Sequence, residues 1–389
     1  MLADLWRLMV ALCDVRALAR FLTGRPPVDV VFITNLRDEA ERQRFFGRRV
    51  PRLGHANGPR IYLRGVAGRV RGIFVTAEEM LTRDGRRLAK AQFIAATEWA
   101  EQHGARVILL AASTKRLFGR DGAELKARFP HLLFTIGDNG TANMLLADVF
   151  RALQTHAIAP GRGRVLVIGP YGILGSAILQ PLRDAGYEVV GYGGNASALA
   201  EVQAEHGIAV HTRIADIGQV DAVVACTHSQ SAKLQAEDVA SLCRPGRRLV
   251  VVDVAEPANL DIEQYARCRT RVIRQDAGNA YSAQLHYVLG GLSWRLLMLS
   301  RGVVFGCFGE ALALHYNIHT LGVSWLAGRD WFQVTTANRQ CIDSAFEHIG
   351  LGLPAPRCFG QPVETSPAAS GNTTANTAPL PGVERTSSV

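Results

Sequence analysis

Lysine is nearly missing from this chain. Of its 43 basic residues only Lys90, Lys115, Lys126 and Lys233 are lysine, and the rest are arginine. Such a balance follows GC-rich coding, and no stretch interleaves aromatic with basic side chains, so nucleic acid is not an expected partner. The net charge of +9 still favours an acidic partner. Cysteine is present seven times, but never as CxxC and never beside histidine at zinc spacing, which excludes a structural metal of that type. The odd count and scatter point to a reducing compartment, and a cytoplasmic protein is expected. No run of about 18 uncharged apolar residues exists, so no helix is expected to span a membrane. Disorder is excluded for most of the chain by a hydrophobic share of 48% and a mean hydropathy near zero.

What is there begins with an amphipathic stretch, "MLADLWRLMVALCDVRALARFL", residues 1–28 with its trailing linker. Leu5, Leu8, Met9, Leu12, Val15 and Leu18 fall along one helical face, with Trp6 near the start. Charges at Asp4, Arg7, Asp14 and Arg16 interrupt it too early for the apolar core of a signal peptide. The expectation is a helix packed on the domain; a helix resting peripherally on a bilayer is the sharper alternative.

Residues 29–160 alternate strand-like and helical stretches and are read as a first α/β domain. "VDVVFITN", "RIYLRGV", "VRGIFVT" and "RVILLAAS" read as strands. Thr76 and Glu79 form a capping-box pattern ahead of a long helix, and "FTIGDNGTANM" reads as a strand, a polar turn and a helix start. Residues 161–281 alternate again, from "RVLVIGP" to "RRLVVVDV", as a Rossmann-type doubly wound parallel sheet does. Residues 282–360 read as mostly helical, and 361–389 as a disordered Ser/Thr/Asn/Pro/Ala-rich tail.

"VLVIGPYGILGSA" places Gly169, Gly172 and Gly175 between a strand and a helix. Small residues belong there because the turn is tight and the backbone must approach a pyrophosphate at the helix N-terminus. With Ile173 opening the helix, this is the expected dinucleotide site. The next strand ends in "VVGYGGNAS", which offers no acid for a ribose hydroxyl and no arginine for a 2′-phosphate. Asn195 and Ser197 could hydrogen-bond there, and Arg213 could reach from the next strand, so NADPH and NADH both stand. Thr227, after "DAVVAC", is placed at the cofactor's border with its neighbours His228 and Ser229.

"FGCFGEAL" puts Cys307 among small residues near a helix start, where a thiol can be nucleophilic, and Gly306 and Gly309 around it read as room for a carbonyl and a nicotinamide ring. Taken together, "FITNLRDEAERQRFF", "GRVRGIFVTAEEML", "FTIGDNGTANM", "VVVDVAEPANL", "FGCFGEAL" and "HTLGVSWLAGR" occur in an order that resembles the cyanobacterial long-chain acyl-(acyl-carrier-protein) reductases. The resemblance covers roughly residues 29 to 362. It implies an N-terminal substrate domain, a Rossmann-type middle that holds NADPH at Gly169, Gly172 and Gly175, and Cys307 as the acyl-accepting nucleophile. A long-chain acyl thioester of acyl carrier protein or coenzyme A would be reduced to a fatty aldehyde. Glu310 is a candidate proton shuttle or a helix-stabilising carboxylate, and His319 a candidate proton donor. Arg64, Arg69, Arg71, Arg86 and Arg87 are a candidate carrier-docking surface. Two departures stand out: Gly194 replaces the family's arginine at the end of the second strand, and Asn139-Gly140-Thr141 lacks its histidine. A non-covalent dehydrogenase of shikimate or methylene-tetrahydrofolate type, and a non-catalytic acyl- or nucleotide-binding relative, are the other readings. His315 and His319 are four apart, but no third ligand accompanies them, so no metal site is expected.

Overall fold

The computed structural model describes residues 5, 9, 12–47, 50–227 and 229–363. Most of residues 1–11, His228, and the tail from 364 onward lie outside the described residues, and with them the readings made for those stretches.

The chain enters through α1 (Val15–Leu22) and β1 (Val30–Leu36), followed by α2 (Glu39–Phe46). A hairpin of β2 (His55–Leu63) and β3 (Val66–Thr76) turns on Arg64 and Gly65, both at positive φ. Thr76 and Glu79 do exchange the two hydrogen bonds of a capping box. That box closes only a single 3-10 turn; Thr82 caps the long helix α3 (Arg83–Gln102). There follow β4 (Val107–Leu110), α4 (Ala123–Arg128), β5 (Leu133–Thr135) and α5 (Asp138–Thr155).

The second unit runs β6 (Arg164–Ile168), α6 (Ile173–Asp184), β7 (Glu188–Tyr192), α7 (Ala196–His206), β8 (Ala209–His211), β9 (Ala222–Ala225), α8 (Ala236–Leu242), β10 (Leu249–Asp253), α9 (Ile262–Cys268) and β11 (Val272–Asp276). Its six strands are all parallel in the order β8-β7-β6-β9-β10-β11. That is the Rossmann-type doubly wound order, with the reversal falling between β6 and β9. Apolar runs such as Val165–Ile168 and Leu249–Val252 are buried on both faces, as a helix-covered parallel sheet requires.

The chain then returns to the first unit. β12 (Asn279–Tyr281) precedes β13 (His286–Tyr287), which pairs antiparallel with β2 and completes the first sheet, β13-β2-β3-β1-β4-β5. After α10 (Gly291–Trp294) and β14 (Val303–Phe305) come α11 (Gly306–His315) and α12 (Thr336–Ile349). Residues 282–360 are therefore no separate helical layer. One face of the first sheet is covered by α3, around Phe93 and Ile108, and the other by α11 and α12, around Phe308, Leu312 and Phe346. Phe32 of β1 stacks on Phe308 of α11 with ring centroids 4.2 Å apart. The first domain is thus assembled from both ends of the sequence around the inserted Rossmann unit.

Candidate active site

The C-terminal ends of the parallel strands of both sheets open onto one cleft of about 4080 Å3 between the two units. Open α/β sheets bind ligands at this end. Cys307, Lys115 and Asp138 line it from one side, and Gly169, Gly172, Ile173 and Thr227 from the other.

The glycine turn has the shape a dinucleotide needs. Gly169 sits at φ +79°, and a Cβ there would stand 2.9 Å from Thr227 Cβ. A Cβ on Gly175 would meet the Gly169 carbonyl oxygen at 2.1 Å, so Gly175 seats the first turn of α6 under the loop and does not line the cleft. Gly172 is extended and precedes α6 directly, leaving the helix's first backbone N–H groups open to an anion. These residues fit a pyrophosphate. The ribose end is less furnished. Asn195 spends its side chain on capping α7 through the Ala198 N–H and lies outside the cleft lining. Gly194 abuts Ser231, Gly193 lies under the Tyr171 ring, and Arg213 pairs with Asp216 at 3.5 Å. None of these brings a cation to the end of β7.

Cys307 is the second residue of α11, where backbone N–H groups lack intrahelical partners and the helix dipole favours negative charge. Burial pushes its thiol up to about 11, against the pull of the Lys115 ammonium. Lys115 follows β4 and forms a short ion pair with Asp138, the first residue of α5. Burial alone would lower the Lys115 pKa, but Asp138, Cys307 and Glu310 together raise it, so the amine is held charged. Nothing in the sequence marked Lys115, which lies 192 positions before Cys307, beyond its being one of four lysines; Asp138 was hidden in what reads as a turn.

Glu310 is fully buried behind the thiol. The Thr135 hydroxyl donates to one carboxylate oxygen, and the Gly140 N–H donates to the other at 2.6 Å. Burial raises its pKa to about 7 despite those bonds. Its two acceptors bind α11 to the end of β5 and the start of α5, so it is a positioning residue for the Cys307 turn.

The small residues around Cys307 have a different cause from the one their setting suggests. A Cβ on Gly306 would meet the Gly278 carbonyl at 2.5 Å, and one on Gly309 would press on Leu351 and Phe346. Gly140 answers from α5, where a Cβ would stand 2.6 Å from the Gly306 carbonyl. Close helix crossing, not space for a ligand, demands these glycines. Gly137 has both constraints, with φ +71° and a Cβ position 2.3 Å from Cys307 Cβ.

His319 is corrected as a catalytic candidate. It lies in the helical turn that extends α11, twelve residues beyond Cys307, or roughly 18 Å at 1.5 Å rise per residue. Its surroundings are His315, Arg106 and Asp29, at the opposite end of β1 from the cleft. The five-arginine docking surface also dissolves. Arg71 is buried, donating to His55 and stacking over Trp99, and Arg69 is half-buried with its pKa lowered to about 9 by burial. Arg64 donates to the His348 carbonyl. Of the five only Arg86 lines the cleft, in company with Arg44, Arg116, Arg120 and Arg301. Among the described residues no group of three or more His, Cys, Asp or Glu side chains could hold a metal.

Sheet order, glycine turn and interdomain cleft define a two-domain α/β protein with a Rossmann-type unit. No family model and no curated protein matches the chain. Among solved structures it is similar to L-tryptophan dehydrogenase from Nostoc punctiforme, at 12% identity over 82% of this chain and 88% of that one, with a TM-score of 0.35. The dipicolinate synthase of Bacillus subtilis is 14% identical over 64% of this chain and 88% of its own, TM-score 0.34. The nucleotide-binding domain of glutamyl-tRNA reductase from Thermoplasma volcanium is 17% identical over 33% and 84%, TM-score 0.26. Of the dipicolinate synthase of Bacillus halodurans and a quinone oxidoreductase from Thermus thermophilus the chain spans 56% and 43% of their lengths.

Proposed function

We propose that this chain is a nicotinamide-dependent oxidoreductase that reduces a long-chain acyl thioester to an aldehyde through an acyl-Cys307 intermediate. The observation that carries the reading is the convergence of a thiol at a helix start, a charged lysine and an open glycine cradle on one cleft. The neighbouring apolar side chains Phe45, Phe46, Val70, Leu297 and Phe305 line the same cleft and suit an acyl chain.

Lys115 favours the Cys307 thiolate electrostatically. The thiolate sulfur attacks the thioester carbonyl carbon, the bond from that carbon to the carrier sulfur breaks, and the carrier thiolate leaves and takes a proton. The Lys115 ammonium and the first N–H groups of α11 face the carbonyl oxygen as it gains charge. Asp138 holds the ammonium in place. Bound over Gly169, Gly172 and Ile173, the nicotinamide dinucleotide would supply the hydride for reduction of the acyl group. Release of the aldehyde returns Cys307 as thiolate. NADPH is what the family resemblance implies; the uncharged ribose end around Gly194 and Ser231 supports NADH equally. Acyl carrier protein is the acidic carrier that the cleft arginines favour, with acyl-coenzyme A as the other donor.

The test is intact-protein mass after mixing with a long-chain acyl-carrier-protein thioester and no cofactor, with peptide mapping and Cys307→Ala alongside. An adduct confined to Cys307 is expected. The Lys115–Asp138 pair also favours a second reading, a non-covalent dehydrogenase in which the lysine serves a substrate carbonyl directly. Reductase activity that survives Cys307→Ala in full would move that reading ahead.

A further inference from the structure

Helix α1 is attached inside out. Val15, Leu18 and Leu22 recur at helical spacing along one face, yet they are 71%, 58% and 74% exposed, and Phe21 beside them is 79% exposed. The charged side faces the protein instead. Arg20 is buried, and its guanidinium donates to the Pro26 carbonyl at 2.8 Å, the Gly65 carbonyl at 2.8 Å and Asp29 at 2.6 Å. Asp14 caps the helix through the Ala17 N–H and pairs with Arg60 at 2.6 Å, while accepting from the Tyr62 hydroxyl. Rolling the helix to bury its leucines would tear two buried ion pairs away from their partners, which is costly. The outward apolar face is therefore built in.

Charge identifies what covers it. Between Val15 and Val28 there is no acidic residue, while Arg16 and Arg25 are exposed. The two flanking acids, Asp14 and Asp29, are buried in the ion pairs just described. Among the described residues from 15 to 28 the apolar stripe is rimmed by guanidinium groups alone, which matches an anionic lipid surface, where each basic residue adds attraction and the leucines enter the acyl boundary. A second copy packing face to face would instead bring like-charged arginine rims together. The face also lies at the N-terminal end of β1, away from the cleft at its C-terminal end, so contact there leaves the cleft open.

We propose that α1 rests this protein peripherally on an anionic bilayer through Val15, Leu18, Phe21 and Leu22, with Arg16 and Arg25 at the headgroups. The inference stands apart from the proposed reaction, since its test needs no turnover. The full chain is sedimented with vesicles of phosphatidylcholine containing a quarter phosphatidylglycerol, and with phosphatidylcholine alone. Expected is retention on the anionic vesicles, weakened by raised salt, and a fall of more than about tenfold in partitioning for Leu18→Asp/Leu22→Asp, at unchanged Tm because both positions are exposed. Arg16→Glu/Arg25→Glu should lose the preference for anionic over neutral vesicles. Three results would overturn it: a wild-type chain that stays in the supernatant, a leucine variant that binds as before, or a solution dimer that the leucine variant dissolves.

Discussion

Replacing Lys115 by glutamine tests the electrostatics of the site without touching the thiol. The Cys307 pKa stands at about 11, because the cost of burying a thiolate exceeds the help from Lys115. At pH 8 about one Cys307 in a thousand is then thiolate, since each unit between pH and pKa is a factor of ten. Removing the ammonium leaves the burial penalty, and leaves Asp138 and Glu310 as uncompensated negative neighbours. An opposite charge within a few ångströms is worth about 1–3 pKa units, so the thiolate fraction should fall about 10- to 1000-fold. The assay is the rate of iodoacetamide alkylation at Cys307, followed by peptide mass from pH 7 to 10. The wild-type rate should climb tenfold per unit with no plateau in that range, and the variant should run parallel and lower. Lys115→Arg should restore much of the rate. A wild-type plateau near pH 8, or equal rates in Lys115→Gln, would refute the account of the site. Tm measured alongside separates this from unfolding.

Gly169→Ala should abolish dinucleotide binding in a fluorescence titration, because the Cβ meets Thr227 and φ is positive; the remainder of the fold should persist. Steady-state kinetics should show less than about a tenfold preference between NADPH and NADH, since among the described residues Gly193 and Gly194 carry no cation at the end of β7, Arg213 is paired with Asp216, and a paired 2′-phosphate is worth more than that. Glu310 has its folded pKa raised to about 7 from 4.5 by burial, so the protonated form is favoured by folding. Its stabilising contribution is present below pH 4.5 and is lost as pH rises through about 7. Glu310→Gln should therefore remove the fall in stability, on the order of 3 kcal/mol at 1.36 kcal/mol per unit, that the wild type shows as pH rises from about 4.5 to about 7, read by urea titration at each pH.

The Rossmann unit was legible because its determinants are local. The apolar stretches beginning at Val165, Val189, Ala222 and Leu249 are joined by long, mostly helical connections, which parallel crossovers require and tight hairpins do not, and the glycines from Gly169 to Gly175 mark the turn between strand and helix. Even His319 could have been set aside from sequence. A helix that starts near Cys307 carries a residue twelve positions later far from the thiol, whatever surrounds it. Cys307 was visible locally as a thiol near a helix start, and as a nucleophile through the family resemblance.

The partners of that thiol were decided by tertiary structure alone. Lys115 reaches it because β4 lies beside β1 and α11 packs back across both, a pairing that joins residues almost two hundred positions apart. The glycines at 306 and 309 read as room for a ligand, whereas helix crossing against α5 and α12 consumes that space. The first helix shows the limit most plainly. Its periodicity set the amphipathic faces correctly, but period alone does not say which face turns inward. Burying Asp14 and Arg20 against Arg60, Tyr62 and Asp29 satisfies four charged groups and a hydroxyl at once, and those distant partners, absent from any local window, turn the leucines outward.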